Sequence, residues 1–343
     1  ASSESVRKMM AAPLDGATWI TNTLLSACAI LLLPRQFHVA VVENRDERDV
    51  RTAAWLFPLY LIAINIFVIP LAVAGLLIFP EGVLDRDMTV LALPLSDHAS
   101  VIALIALLGG LSAATAMVIV ECVALSIMVS NDLVMPLLLR GQARGTIAGL
   151  RDTGAVVLVI RRLAIVVMLG LGYLYFRSSS EAALASIGLL SFAAIAQIAP
   201  AFLGGLFWSR ATARGAMAGL IFGTLVWAYT LLLPSLAPAS SVIAALVEHG
   251  PLGLSWLRPT AILDLGLPPL VHGVLLSLTI NVLAFVGFSF TRRATAIERL
   301  QADVFVGPSG PPISETFRLW RTAATAGELE ATVARYLGAE QAR

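Results

Sequence analysis

The chain has 343 residues, of which 58% are hydrophobic and 13% charged, and its mean hydropathy is +0.86. A globular domain carries roughly a quarter charged residues, and no soluble fold of this size hides so much apolar surface, so the composition points to a polytopic membrane protein. A net charge of +1 argues against nucleic acid as a partner.

The sequence opens Ala1-Ser-Ser-Glu4, with neither an initiator Met nor the ordered basic, apolar and small-residue regions of a signal peptide. It reads as a piece of a longer protein. A spanning helix needs about 20 mostly apolar residues, and seven segments qualify: 17–33, 53–79, 100–129, 155–176, 183–208, 216–233 and 270–290. The fold class expected is therefore all-α, a polytopic helical membrane protein.

The first segment places Thr18, Asn22 and Ser26 at i, i+4 and i+8, one polar stripe on one helical face. Such a stripe is either hydrogen-bonding glue between helices or a face turned to a solute. Pro58 and Pro70 predict kinks in the second segment, and Pro200 in the fifth; neighbouring helices can re-satisfy the carbonyls so freed. The third segment is long enough to need tilt or an extension beyond the bilayer. It carries Glu121, the one acidic or basic side chain between Val101 and Val129. A carboxylate at that depth costs at least a few kcal/mol as an ion. It is either a neutral acid bonded to another helix or a group that handles a proton or cation. The fourth segment has Arg161 and Arg162 near its start, and the fifth offers Ser191 and Gln197, again as packing or solute-facing groups. A short apolar stretch at 242–247 is expected at the membrane interface.

Basic residues concentrate in alternate loops: Arg35, Arg45, Arg48 and Arg51; then Arg140, Arg144 and Arg151; then Arg210 and Arg214; then Arg292 and Arg293. The bias of Lys and Arg toward cytoplasmic loops puts these four segments inside, so the piece starts outside and ends in the cytoplasm. Arg7 and Lys8 are mildly discordant. Beyond Phe290 the composition turns charged. Residues 291–343 read as two short amphipathic helices, the first with Ile297, Leu300 and Val304 on one face. The second begins with a Thr325–Glu328 capping box and carries the stripe Leu329, Val333 and Leu337.

No metal-ligand spacing, nucleotide loop or catalytic triad is legible, so neither a metal, a cofactor nor a catalytic residue is expected in the chain. Cys28 and Cys122 read as apolar thiols in different spans. His38, His98, His249 and His272 read as loop-end or packing residues.

Three stretches together resemble the sodium:solute symporter family. Leu33-Pro-Arg-Gln36-Phe-His38, followed by an Arg-rich loop, is similar to a glycine-glutamine-proline-histidine segment of the proline symporters. Leu111-Ser-Ala-Ala-Thr115-Ala116-Met117 running to Ser130-Asn131-Asp132-Leu133 is similar to that family's helix ending in threonine-glutamate-aspartate-leucine. The most specific is Pro200 to Trp208-Ser-Arg210 and Arg214-Gly215-Ala216, which resembles the joint between two late helices. The resemblance covers about residues 17–290 and implies a LeuT-type fold of two inverted five-helix repeats. The chain would hold the second repeat and two peripheral helices.

Within the family, the resemblance is to a subgroup joined through a small STAC connector to a sensor histidine kinase. Leu32 to Glu43 resembles that subgroup, and Val304 to Gly307, Leu319-Trp320 and Ala334 to Gly338 resemble the connector's opening. The resemblance implies a solute-binding or transport module in a bacterial inner membrane. Its partners would be a small polar solute such as an amino acid or organic acid, H⁺ or Na⁺, and downstream kinase modules; an ordinary cation-coupled symporter is the alternative. In the family, two hydroxyl side chains and a carbonyl on the third span contribute to a sodium site. Those positions fall here on Ala116, Met117 and the carbonyl of Ala113, with Thr115 one residue out of register. The loss of both hard oxygen donors argues against sodium coupling. Glu121, one turn on from Met117 along the same stripe, is expected to carry a proton instead.

Overall fold

The structure is a computed structural model and describes residues 6–7, 11, 15–44, 46–79, 85–138, 153–178, 184–262, 266–292 and 294–306. Helices account for its regular structure, and the described residues contain no strand. The chain is an all-α polytopic membrane protein. Six helices are long and apolar enough to span: Arg48–Ile78, Ser100–Leu138, Gly154–Ser178, Leu184–Phe207, Ala213–Ser235 and Pro269–Phe290. A seventh arises if Gly16–Leu32 and Pro34–Val42, bent by 48°, form one span. The segments read from hydropathy reappear with boundaries shifted by a few residues at most, except where the second begins earlier and the third runs on further.

Helix α1 (Gly16–Leu32) starts at Asp15, whose carboxylate accepts from the N–H groups of Ala17 and Thr18, both at 3.2 Å. The Thr18 hydroxyl also donates to Asp15, and these bonds hold that carboxyl below the usual carboxylate range. The helix ends because Pro34 excludes helical geometry from the residue before it: Leu33 has φ −59° and ψ 130°. The bent continuation α2 (Pro34–Phe37) runs into a wide π turn, His38–Val42. Similar π turns prolong α6 (Ser100–Met128) at Val129–Val134 and α10 (Ala213–Trp227) at Ala228–Leu232.

Helices α3 (Glu47–Asn65) and α4 (Val68–Ile78) make up the second span. The ladder is interrupted at Ile66 and Phe67, just ahead of Pro70, whereas Pro58 stays within α3. A short α5 (Thr89–Ser96) leads to α6 through His98, whose φ of 56° is a left-handed turn position. The 39 residues from Ser100 to Leu138 extend about 58 Å at 1.5 Å per residue, against a hydrocarbon core of about 30 Å. Helix α7 (Thr153–Ser178) packs along α6.

The tight part of the molecule lies elsewhere. Helix α10 and α12 (Pro269–Phe290) form the most extensive helix–helix contact. Gly215, Gly219 and Gly223 recur every fourth residue on α10 and face Asn281, Phe285 and Ser289 on α12. A Cβ at Gly219 would lie 2.7 Å from Asn281 Oδ1, so the backbones approach as only small residues allow. Leu25 of α1 and Val274 of α12 meet Ala193 and Ala196 from the fifth span in a buried cluster. Most apolar side chains of α3, α4, α6 and α7 are exposed, a condition hydrocarbon tolerates and water would not.

The interfacial stretch expected near 242–247 is helix α11 (Ser241–His249), closed by Gly250 at φ 79°. After Phe290, helix α13 (Ala296–Phe305) matches the first amphipathic helix expected there. The second helix, with its Thr325–Glu328 box and the rest of the proposed connector, lies outside the described residues.

Candidate functional site

The fifth span does not run straight. Helix α8 (Leu184–Ile195) tightens into a 3₁₀ turn at Ala196–Ile198 before α9 (Ala199–Phe207) resumes with Pro200 near its start. Pro200 has no N–H to close the α-helical ladder, so the break falls midway along the span. Three polar side chains gather there. Gln197 donates through Nε2 to Ser277 Oγ at 3.0 Å and to the Ala193 carbonyl at 3.3 Å. Asn281 donates through Nδ2 to the Gln197 backbone carbonyl at 2.7 Å and to Gln197 Oε1 at 3.1 Å. All three are fully buried. Each bond replaces an unsatisfied amide in an apolar medium, a cost of several kcal/mol if left unmade. The Ala196 carbonyl, four residues before Pro200, accepts from the Ala199 N–H within the 3₁₀ turn, and the Gln197 carbonyl beside it is taken up by Asn281 of a neighbouring helix.

Two acceptors at this level have no partner: Asn281 Oδ1 and, on α1, Asn22 Oδ1. Helix α1 packs on α8 and on the 196–198 turn, so the first and fifth spans, each expected to carry polar groups, are neighbours. The buried stripe of α1 is Thr21, Leu25, Ala29 and Leu32. Asn22 borders this stripe, half-buried, while Ser26 is exposed and Thr18 serves the Asp15 cap. Ser191 is exposed and donates to the Ile187 carbonyl. Among the five residues assigned to a solute face, the structure brings Gln197 to the break, Asn22 to its border, and turns Ser26 and Ser191 outward.

Glu121 lies half-buried on α6. The bent helix α2 packs on α6, and Arg35 comes within electrostatic reach of the Glu121 carboxylate. The sequence separates these residues by more than eighty positions, so only the fold reveals their proximity. Ala113, Thr115, Ala116 and Met117 are exposed along α6, and the Thr115 hydroxyl is spent on the Leu111 carbonyl at 2.7 Å. Arg161, on α7, keeps its Nε buried without a hydrogen-bond partner. Helix α7 packs against α6.

The histidines occupy loop ends and packing positions. His272 is buried at the start of α12 with Nε2 2.9 Å from the Ile262 carbonyl, and His38 pairs with Glu43 at 3.3 Å. Cys28 and Cys122 are free and half-buried. Among the described residues no cluster of His, Cys, Asp and Glu could hold a metal ion.

Sequence reading missed Ser277, Asn281 and Thr21. Their signal was present: Ser277, Asn281 and Ser289 stand at intervals of four and eight in an otherwise apolar span, opposite glycines spaced by four. No protein-family model, no curated protein and no solved structure matches this chain.

Proposed function

We propose that the chain is the membrane-embedded solute-binding or transport module of a two-component sensor histidine kinase, belonging to the sodium:solute symporter family and linked to the kinase through a STAC-like connector. The observation that carries this reading is the interruption of the fifth span at Ala196–Ile198, lined by Gln197, Ser277 and Asn281 and adjoined by Asn22. Interrupted helices with polar groups near the midplane are how inverted-repeat transporters build sites for small polar solutes. The unpartnered amide oxygens suit the ammonium or hydroxyl donors of an amino acid or hydroxy acid.

On this reading α1 opens the second repeat, and the exposed face of α6 at Ala113–Met117 would be covered by helices of the first. The N-terminal side of the piece lies outside, the basic loops and α13 lie in the cytoplasm of a bacterial inner membrane, and catalysis belongs to downstream kinase modules. Solute occupancy biases one transport conformation over another, and the bias passes to the tail through α13. Glu121 replaces sodium by a proton as coupling ion, with Arg35 as its counter-charge in one conformation. An ordinary cation-coupled symporter is the second reading, favoured in that the interrupted fifth span and its polar side chains lie within the spans themselves.

The test is uptake and equilibrium binding of labelled amino and organic acids in proteoliposomes carrying the full reading frame, under imposed proton or sodium gradients. Uptake driven by the proton gradient, with pH dependence flattened in Glu121→Gln, is expected. Unchanged pH dependence in that variant would sink the coupling role, and neither binding nor uptake of any solute class would sink the transporter reading. A kinase core downstream of Arg343 in the gene separates the sensor from the plain symporter.

A further inference from the structure

Gly215 of α10 faces Ser289 of α12 and Gly223 faces Asn281, so these two helices run antiparallel. The start of α10 and the end of α12 therefore share one end of the bundle, and the chain beyond Phe290 leaves from there. Glu298 of α13 accepts from the Ala213 N–H at the start of α10, which folds α13 back over that end. Between α9, α10, α12 and α13 lies an open groove of about 420 Å³.

The groove is shaped for an apolar occupant. Phe202, Leu206, Phe285 and Phe305 stand in its walls, with the small residues Ala201 and Gly205 between them. A Cβ at Gly205 would meet nothing within 4 Å. Among the described residues, Glu298 is the one charged side chain in the lining. Its Oε1 is engaged by Ala213 and its Oε2 accepts from the Thr295 N–H at 2.6 Å and the Thr295 hydroxyl at 2.8 Å. That carboxylate is occupied as a cap, which leaves recognition to apolar contact. Phe305 is 63% exposed, although α13 also carries Glu298, Arg299 and Asp303 and has only ten residues, too few to span. With Phe202 and Leu206 it forms a contiguous apolar patch, not a lone exposed ring.

We propose that this groove is the docking site of the chain's own C-terminal amphipathic segment, residues 325–338, which lays Leu329, Val333 and Leu337 into it. The segment lies outside the described residues, and its sequence pattern and its tether select it. Its stripe repeats every fourth residue and runs about 12 Å at 1.5 Å per residue, against about 10 Å for the α13 face from Glu298 to Phe305. Large side chains at that spacing form a ridge that seats over small residues on the facing helix, here Ala201 and Gly205. The described residues end at Val306, beside Phe305 in the groove wall. The 22 residues between Val306 and Leu329 reach up to about 70 Å when extended, so the segment can return. A tether of this kind supplies an effective concentration on the order of millimolar, which neither a second copy nor a free partner has. The docking is independent of the solute reading above, since it uses neither the 196–198 turn nor Glu121.

Disulfide trapping in membranes carrying the full protein tests it, with Cys28→Ala and Cys122→Ala removing the free native thiols. Gly205→Cys paired with Val333→Cys is expected to oxidise at least about tenfold faster than Gly205→Cys paired with Ala331→Cys, which lies on the opposite face of the segment. Leu329→Asp together with Leu337→Asp, both far from the spans in sequence, is expected to slow the first pair by about tenfold or more through the lost burial of two leucines. Equal rates for the two pairs overturn the proposal. So does the absence of a disulfide when each cysteine, alone in the chain, labels with a maleimide. A disulfide-linked dimer in place of an internally linked monomer also overturns it, by giving the groove to the segment of a second copy.

Discussion

Glu298 of α13 accepts a hydrogen bond from the backbone N–H of Ala213, the first residue of α10, while its other oxygen closes the capping box with Thr295. One carboxylate therefore caps two helix starts, that of a helix long and apolar enough to span and that of the short amphipathic α13. An ionised acid at a helix N-terminus is favoured by both orphan N–H groups and the helix dipole.

The bonds from the Thr295 and Ala213 N–H groups hold the Glu298 carboxyl below the usual carboxylate range. A depressed value in the docked state means the stabilisation is complete above the undocked value and fades as pH falls through the docked one. Helix α13 is accordingly expected to stay docked at neutral pH and to release in acid, below the ordinary range for glutamate. Glu298→Ala should cost roughly 0.5–2 kcal/mol of docking at neutral pH, the usual worth of a cap. Spin-label distances between α13 and α10 as a function of pH check both statements; a variant as firmly docked as the parent refutes them.

The α10–α12 seam is predicted to be intolerant at Gly223, where a Cβ would fall 2.5 Å from Gln197 Oε1 and 2.6 Å from Asn281 Nδ2. Gly223→Ala should destabilise by about 1–3 kcal/mol, the range for overpacking. Gly287, on the outer side of α12, has nothing within 4 Å of a built Cβ. Gly287→Ala should be neutral or stabilising by up to about 1 kcal/mol. Thermal unfolding in micelles distinguishes the two sites.

Gln197 and Asn281 should behave as a coupled pair. A double-mutant cycle with Gln197→Leu and Asn281→Leu is expected to give a coupling of about 0.6–1.7 kcal/mol, the range met between membrane helices. Reversible unfolding in mixed micelles measures it, and additive effects would mean that the two side chains bond independently of one another.

Arg35→Gln removes the basic group beside Glu121. The single variant should lower the melting temperature, and Glu121→Gln in the same background should restore part of the loss, because a half-buried carboxylate without its nearby cation costs more than a neutral amide. Melting curves for the four proteins of this square suffice. A double variant less stable than Arg35→Gln alone contradicts the pairing.

The spans were legible because hydrocarbon demands long apolar runs and leaves no other signal of comparable strength. The kink at Pro200 was legible too, since a missing N–H acts locally. What escaped was partnership across the fold. Glu121 could be singled out as an acid at depth, but Arg35 reaches it only through the bend at Leu33–Pro34. Ser277 and Asn281 looked like minor polar interruptions until the Gln197 carbonyl at the break gave Asn281 a target. The Thr295–Glu298 box carries the same Thr-x-x-Glu pattern recognised at 325–328, yet its second role at Ala213 depends on a contact between residues 85 positions apart.

The π turn at Ala228–Leu232 accommodates one residue more than an α-helical turn would. Tyr229, within that turn, donates to the Leu257 carbonyl at 2.6 Å and fastens the long loop between α10 and α12 to the end of α10. Deleting one residue there would let the backbone close into regular α-helix and leave everything beyond it in phase, because the wide turn covers about the same rotation as an α-helical turn with one residue fewer. Where the residue removed is Tyr229 itself, the loop would lose its mooring although the span kept its course. Length variation of a single residue at this turn is therefore a way to tie or untie the loop, available to evolution or to a protein engineer without unfolding the span.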